Sequence, residues 1–278
     1  MKVFTSCLLL FLSLSLLGQS SGEDRKQVQK AQEVSGTFST TRVINAHSCE
    51  TLEKRTLDIR IVHRFGDIAG PNGGHESFYG LDNATDIRIA LEYGILDDLM
   101  VGIGRSKGFQ LKQIFDGFVK YKVLKQRADN KVPFTFTLFA NAAVTTMTPS
   151  LDNTSVTWLP ESKHRWTYTV QGILARKFGS RFSIEVLPTM VHRNYVPFGD
   201  ENTLFALGAA ARIKVAKQYA IIIDYFHPFS DFRKQEDPIT GEKRFFDPLG
   251  IGLEIETGGH IFHLNFTNST GIIANEFI

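Results

Sequence analysis

The chain has 278 residues and a formal net charge of +2, with 42% hydrophobic and 22% charged residues. That balance excludes a disordered chain, and it lacks the basic excess that nucleic acid would require. Phenylalanine alone supplies 23 residues, which suits strands and membrane interfaces.

Lys2, the apolar run Leu8 to Leu17 and the small residues up to Gly22 read as a signal peptide over residues 1–22. The run is too short to span a bilayer, and no later window holds about 18 apolar residues. An exported chain without transmembrane helices is expected. Residues 23–54 follow as an N-terminal segment. Glu23 to Glu33 is charged and expected to be flexible; Val34 to Glu50 is more ordered in character. The segment is either a periplasmic tail or a plug, and Arg42, Asn45 and His47 would be the plug's polar residues. Cys7 lies in the leader, so Cys49 has no partner for a disulfide.

Residues 55–278 alternate with period two. Leu57, Ile59, Ile61 and Phe65 alternate with Asp58, Arg60 and Arg64; Ile87, Ile89, Leu91 and Tyr93 alternate with Asp86, Arg88 and Glu92. A Gly-rich stretch, Leu99 to Arg105, comes next. The same alternation then recurs around Val119, Leu138, Val170, Ile184, Leu207, Ile221, Ile251 and Leu264. This predicts about eleven strands of roughly ten residues, a length suited to tilted membrane strands.

The connections alternate in length. Short turns are expected at Asp97-Asp98, Arg127 to Lys131, Gly179-Ser180, Ala216 to Gln218 and Gly258-Gly259. Long polar loops are expected at Gly66 to Gly80, Ser106 to Gln110, Thr148 to Arg165, Arg193 to Thr203 and Pro228 to Phe246. Such parity belongs to an up-and-down membrane barrel with short periplasmic turns and long outer loops. Phe65, Tyr79, Tyr93, Phe109, Tyr121, Trp166, Phe178, Tyr195, Tyr219 and Phe229 would form aromatic girdles at the strand ends. The fold class is therefore all-β, an antiparallel transmembrane barrel of about twelve strands. Eleven strands leave Asn268 to Ile278 outside, so a twelfth, descending strand is expected after Ile278. The alternative is that Thr37 to Ile44 closes the sheet.

Charges on the lipid face cost about 2–4 kcal/mol each for Arg or Lys at mid-depth, so they belong inside. The lumen candidates are Asp58, Arg60, Arg64, Asp86, Arg88, Glu92, Lys120, Lys122, Glu185, Arg212, Lys214, Asp224, Glu254 and Glu256. They would form either a web of ion pairs or the lining of a channel for polar solutes, without strong ion preference. His260 and His263 have odd spacing and do not share a strand face. The other histidines are scattered, so no metal site is expected. Ser183 and His192 have no orienting partner, and no phosphate loop or dinucleotide fingerprint occurs. No enzyme and no cofactor are expected.

The stretches Thr41 to Ser48, Asp116 to Tyr121, Tyr225-Phe226-His227-Pro228 and Gly250 to Glu254 resemble an uncharacterised β-barrel family, a domain of unknown function, of Bacteroidota outer membranes. Gly259 to Phe262, Leu264 and Thr267-Asn268 carry the resemblance further. It implies a barrel fold and a Gram-negative outer-membrane location, and it implies no activity. It also implies a Gly-rich last strand after Phe277-Ile278. The functional expectation is a passive channel or transport-related barrel for small polar solutes. The alternative is a non-conducting barrel that anchors or scaffolds a partner, and third is a lipid-acting enzyme. Expected partners are outer-membrane lipid and the barrel assembly machinery, with no nucleic acid and no protein partner that the residues name.

Overall fold

A computed structural model of the chain describes residues 32–278, apart from 71, 109–112, 153, 154, 156, 157 and 238. The proposed signal peptide, the charged stretch as far as residue 31, and Phe109 and Gln110 lie outside the described residues. Eleven strands follow in order: β1 (Leu57–Phe65), β2 (Ala84–Leu96), β3 (Leu99–Ser106), β4 (Ile114–Leu124), β5 (Thr135–Thr145), β6 (Trp166–Phe178), β7 (Phe182–Arg193), β8 (Thr203–Lys214), β9 (Tyr219–Phe229), β10 (Leu249–Thr257) and β11 (His260–Thr267). Each pairs antiparallel with its neighbours in chain order. A short helix, α1 (Ala274–Phe277), ends the described chain, and no described helix is long and apolar enough to cross a membrane.

Period-two patterning sets the two faces of the sheet. In β5 every odd residue from Thr135 to Thr145 is buried and every even one half-buried. The inverted sense of an ordinary soluble sheet is plain in β1 and β3, where Ile59, Ile61 and Ile103 stand about two-thirds exposed (65%, 64% and 64%). On the opposite face Arg88, Glu92, Lys120 and Glu185 are fully buried. Apolar surface on this scale, spread over ten of the eleven strands, is not left to water. A lipid environment explains the inversion, with polar side chains turned in and aliphatic ones out.

The connections sort by end. Residues 97–98, 179–181, 215–218 and 258–259 are short turns at one rim, and 66–83, 146–165, 194–202 and 230–248 are long loops at the other. One pair departs from the expected alternation: 125–134 at the short-turn rim is longer than 107–113 at the opposite rim. The extra length has work to do. Gln126 bonds across to Lys177, and its carbonyl receives the Val34 N–H.

Exposed rings ring both ends: Tyr93, Tyr121, Phe178, Phe182 and Tyr219 at the short-turn rim, Phe65, Phe115, Trp166, Phe205 and Phe229 at the long-loop rim. Tyr79 and Tyr195 are not at strand ends as expected. They sit in loops, where Tyr195 packs on Trp158 and His164.

Among the described residues β1 and β11 have no pairing partner on their outer sides, so the sheet is not closed. The segment Thr37 to Ile44 does not fill that gap as a strand; it lies inside the curl of the sheet, with Thr37, Phe38, Thr41, Arg42 and Val43 buried. The stretch after Asn268 also departs from expectation. It does not trail outside: Ile272, Ile273, Phe277 and Ile278 are buried, with Phe277 and Ile278 in a core beside Phe226 and Ile273 beside Ile114 and Ala143.

Two cross-strand pairs create the room for that interior. Gly102 faces Phe118, and Gly208 faces Phe226. A Cβ at Gly102 would lie 2.3 Å from the Phe118 ring, and one at Gly208 2.4 Å from the Phe226 ring. Glycine lets each ring lie flat over the neighbouring strand. Leu91 on β2 tests the two-faced sheet, because it points outward with no polar neighbour. Leu91→Arg is expected to lower stability by about 2–4 kcal/mol, measured by denaturant unfolding in lipid vesicles.

Candidate functional site

The interior is built around one excursion of the chain. It enters at the short-turn rim, where Lys125 bonds Glu33 and Asp98 and Lys177 donates to the carbonyls of Ser35 and Gly36. It turns back at Val43 to Ala46, where the Val43 N–H meets the Ala46 carbonyl at 2.9 Å and the Ser48 N–H meets the Thr41 carbonyl at 3.1 Å. It leaves at the rim it entered by: Thr51 and Lys54 both bond Asp97, and β1 begins. Residues 37–50 thus form a hairpin-like insert.

Two buried charges on different walls hold this hairpin. Asp224 of β9 accepts the successive backbone N–H groups of Ile44, Asn45 and Ala46 at 3.1, 2.6 and 2.8 Å. The Asn45 side chain donates to its other oxygen at 2.9 Å. Consecutive N–H groups converging on one oxygen form an anion-binding nest, and here the anion is the protein's own carboxylate. Lys120 of β4 is the counterpart. Its ammonium donates to the carbonyls of Thr41, Ser48 and Glu50 at 2.9, 3.1 and 3.0 Å. Charge-assisted bonds of this kind are about twice as strong as neutral ones.

Further side chains join from other strands. Glu185 of β7 accepts the Cys49 N–H, and Thr137 of β5 donates to the Cys49 carbonyl. His47 packs between Phe139 and Phe118, with ring centroids 4.0 and 5.4 Å away. Burial, with Arg42, Lys120 and Arg88 nearby, holds His47 well below the usual histidine range, so its ring is neutral. Burial pushes the Cys49 thiol up, and Glu50 and Glu185 add to this, so it is an unreactive thiol. A hairpin that meets β1, β4, β5, β7, β9 and β11 at once requires the sheet to curl around it.

All fourteen charged candidates occupy the inner register of their strands, and the structure brings most of them together. Arg88 forks onto Asp116 at 2.9 and 2.7 Å. Glu92 stands among Arg42, Arg60 and Arg88 at 3.7–3.8 Å. Arg212 pairs with Glu254 at 2.6 Å, Lys122 with Glu50 at 3.1 Å and Arg60 with Asp58 at 2.7 Å. Asp86 accepts the Gly108 N–H. Lys214 and Glu256 stay near water at the short-turn mouth, 3.4 Å apart. Asp116, Lys177, Glu50 and Ser39 were absent from the sequence-based set. Asp116 was findable, since it shares the inward register of Lys120. Glu50 and Ser39 carry no such signal, because the hairpin has no strand period.

Histidines find acidic partners that sequence spacing does not reveal. His263 lies 3.3 Å from Glu254 on the paired strand. His227 lies 2.8 Å from Asp247, which also receives the Tyr225 hydroxyl. Ser183 is buried on the inner face and His192 bonds Thr203, so the two stay apart. Among the described residues, no three His, Cys, Asp or Glu side chains converge as a metal-ligand set.

At the long-loop mouth, Ala274, Phe277 and Ile278 belong to the same apolar cluster as Phe38, Val43 and Cys49, and Ile273 packs with Ile114 and Ala143. Arg193 donates to the carbonyls of Asn275 and Ile278 at 2.8 and 2.5 Å, and Asn275 donates to Thr167. A hollow of about 380 Å³ opens at the short-turn side between Phe38, Glu50, Leu52, Asp58 and Arg60.

A family model described as "Membrane bound beta barrel domain (DUF5777)" matches residues 38–278. No curated protein and no solved structure matches the chain. The match begins within the hairpin, so the hairpin belongs to the matched domain.

Asp224→Ala removes the acceptor of the hairpin turn. Bonds to a charged group contribute about 1.5–3 kcal/mol, so amide exchange at Ile44, Asn45 and Ala46 is expected to rise roughly tenfold to hundredfold, read by hydrogen-exchange mass spectrometry. In the parent protein Cys49 is expected to resist maleimide under native conditions. In Asp224→Ala it should label within the same incubation.

Proposed function

We propose, for a chain that belongs to the DUF5777 family of membrane-bound beta barrel domains, that it is a sealed, non-conducting barrel. It sits in an outer membrane and acts as an anchor or scaffold for a periplasmic or surface partner. The observation that carries this reading is the packed interior. The hairpin 37–50 satisfies Asp224 and Lys120, Ala274, Phe277 and Ile278 join its apolar cluster from the opposite mouth, and Arg88 and Arg212 pair with Asp116 and Glu254. A passive channel for polar solutes needs a continuous wet path, and the hairpin occupies space inside the sheet that such a path would need. The outer-membrane location rests on the leader-like start, the aromatic rims and the sorting of turns and loops by end. In that setting the assembly machinery inserts the barrel, lipid surrounds it, and the long loops carry contacts with a surface partner. No catalytic step and no cofactor form part of this reading.

Planar-bilayer recording on the purified full chain tests it. A flat trace at every applied voltage is expected. Steady stepwise conductance from the intact chain would overturn the sealed reading and restore the channel.

A further inference from the structure

We propose that the outer wall over β6 to β9 holds one membrane lipid, with an acyl chain in a groove of the sheet and a primary ammonium headgroup on His227. The groove, about 440 Å³, lies between Val170, Pro188, Met190, Phe205, Leu207 and Phe229. That volume falls within the roughly 300–1,000 Å³ of small-molecule sites. These six residues stand on the outward register of four neighbouring strands, the face turned to lipid.

Two residues hollow the wall. Pro188 stands within β7, where it has no N–H to give the ladder. The β6–β7 register lapses there, between Gln171↔Thr189 and Leu174↔Val186. The outward residue of β6 at this level is Gly172. A Cβ at Gly172 would lie 3.4 Å from Phe136 and 3.7 Å from Pro188, which is ordinary contact. Packing therefore does not require glycine at 172, and its effect is to leave the groove open. An acyl chain lying in the groove gains the dispersion contacts that an empty hollow forfeits.

A polar group borders the groove on the same wall. His227 is the cross-strand partner of Leu207, and its ring meets Phe229 edge-on with centroids 5.2 Å apart. His227 Nδ1 lies 2.8 Å from Asp247 Oδ2, which also receives the Tyr225 hydroxyl. Burial works against the charge on Asp247, but the bonds from His227 and Tyr225 prevail and hold its carboxyl below the usual carboxylate range. An ionised carboxylate only accepts, so Nδ1 carries the ring proton and Nε2 of the neutral ring presents a lone pair. Nε2 therefore requires a donor. A primary ammonium supplies one and complements the charge of Asp247; a quaternary ammonium has no N–H to give. β9 ends at Phe229 on the long-loop rim, the level at which lipid headgroups begin.

Native mass spectrometry of the full chain tests the site. The protein is released from detergent micelles holding equal amounts of phosphatidylethanolamine and phosphatidylcholine with identical acyl chains, so the two lipids differ only in the methylation of the headgroup nitrogen. A single bound lipid is expected, with phosphatidylethanolamine retained several-fold over phosphatidylcholine. His227→Phe should abolish that preference while lipid still binds. Gly172→Leu fills the groove and should lose the adduct of both lipids, with heat-modifiable migration on a denaturing gel as the check that the variant folds. Equal retention of the two lipids by the parent overturns the proposal, as does an unchanged preference in His227→Phe or an undiminished adduct in folded Gly172→Leu. If Gly172→Leu fails to fold, the parent and His227→Phe decide between them. Bound lipid is counted whether or not the barrel conducts, so this outcome is separate from the bilayer result.

Discussion

A carboxylate taken out of water must be given donors, and Asp224 is given four by a single turn of the chain. An isolated buried charge is prohibitively costly, so the wall carrying Asp224 and the turn at 43–46 require each other. Lys120 repeats the arrangement with opposite sign, its ammonium held by three carbonyls of the same hairpin. A membrane barrel disfavours such charges on its lipid face, so they turn inward and need partners there. The hairpin supplies the missing partners. Its backbone, otherwise a liability in a dry interior, becomes the solvent of the wall's charges.

The rest of the interior follows from that placement. Phe118 and Phe226 lie over cross-strand glycines, which leaves space for His47 on one side and Phe277 on the other. The hairpin meets Ala274, Phe277 and Ile278 in one apolar cluster, so the two segments share a core. The Arg88–Asp116 fork and the Arg212–Glu254 pair occupy what remains. Removing one partner of such a pair exposes the other to an uncompensated environment, which makes the interior a coupled unit.

Much of this was legible in the chain. Strand number, strand faces and the inward set from Asp58 to Glu256 follow from a period of two, because a strand can present a residue to only two sides. The sorting of loops by end was legible too, with the exception of 125–134, whose length serves contacts to residues 34 and 177 that lie far away in sequence. Tyr79 and Tyr195 looked like rim residues because an aromatic near a strand end and one in a long loop are alike in a linear reading. The acidic partners of His227 and His263 come from other elements, and residue spacing along one strand does not encode them.

The sequence by itself determined a two-faced antiparallel sheet and its charged inner wall, because lipid and pleat geometry act residue by residue. Only the tertiary structure decided what fills the wall. Nothing in Thr41 to Ser48 marks the turn as an anion nest, and nothing in Ile272 to Ile278 marks that stretch as a cap. Both acquire their roles from side chains that the folded sheet carries to them: Asp224 about 180 residues away in the chain for the first (180 from Ile44), Arg193 and Phe226 for the second. The strands obey local periodicity, whereas the interior obeys the requirement that buried charges find partners, and the curl of the sheet around the hairpin chooses them.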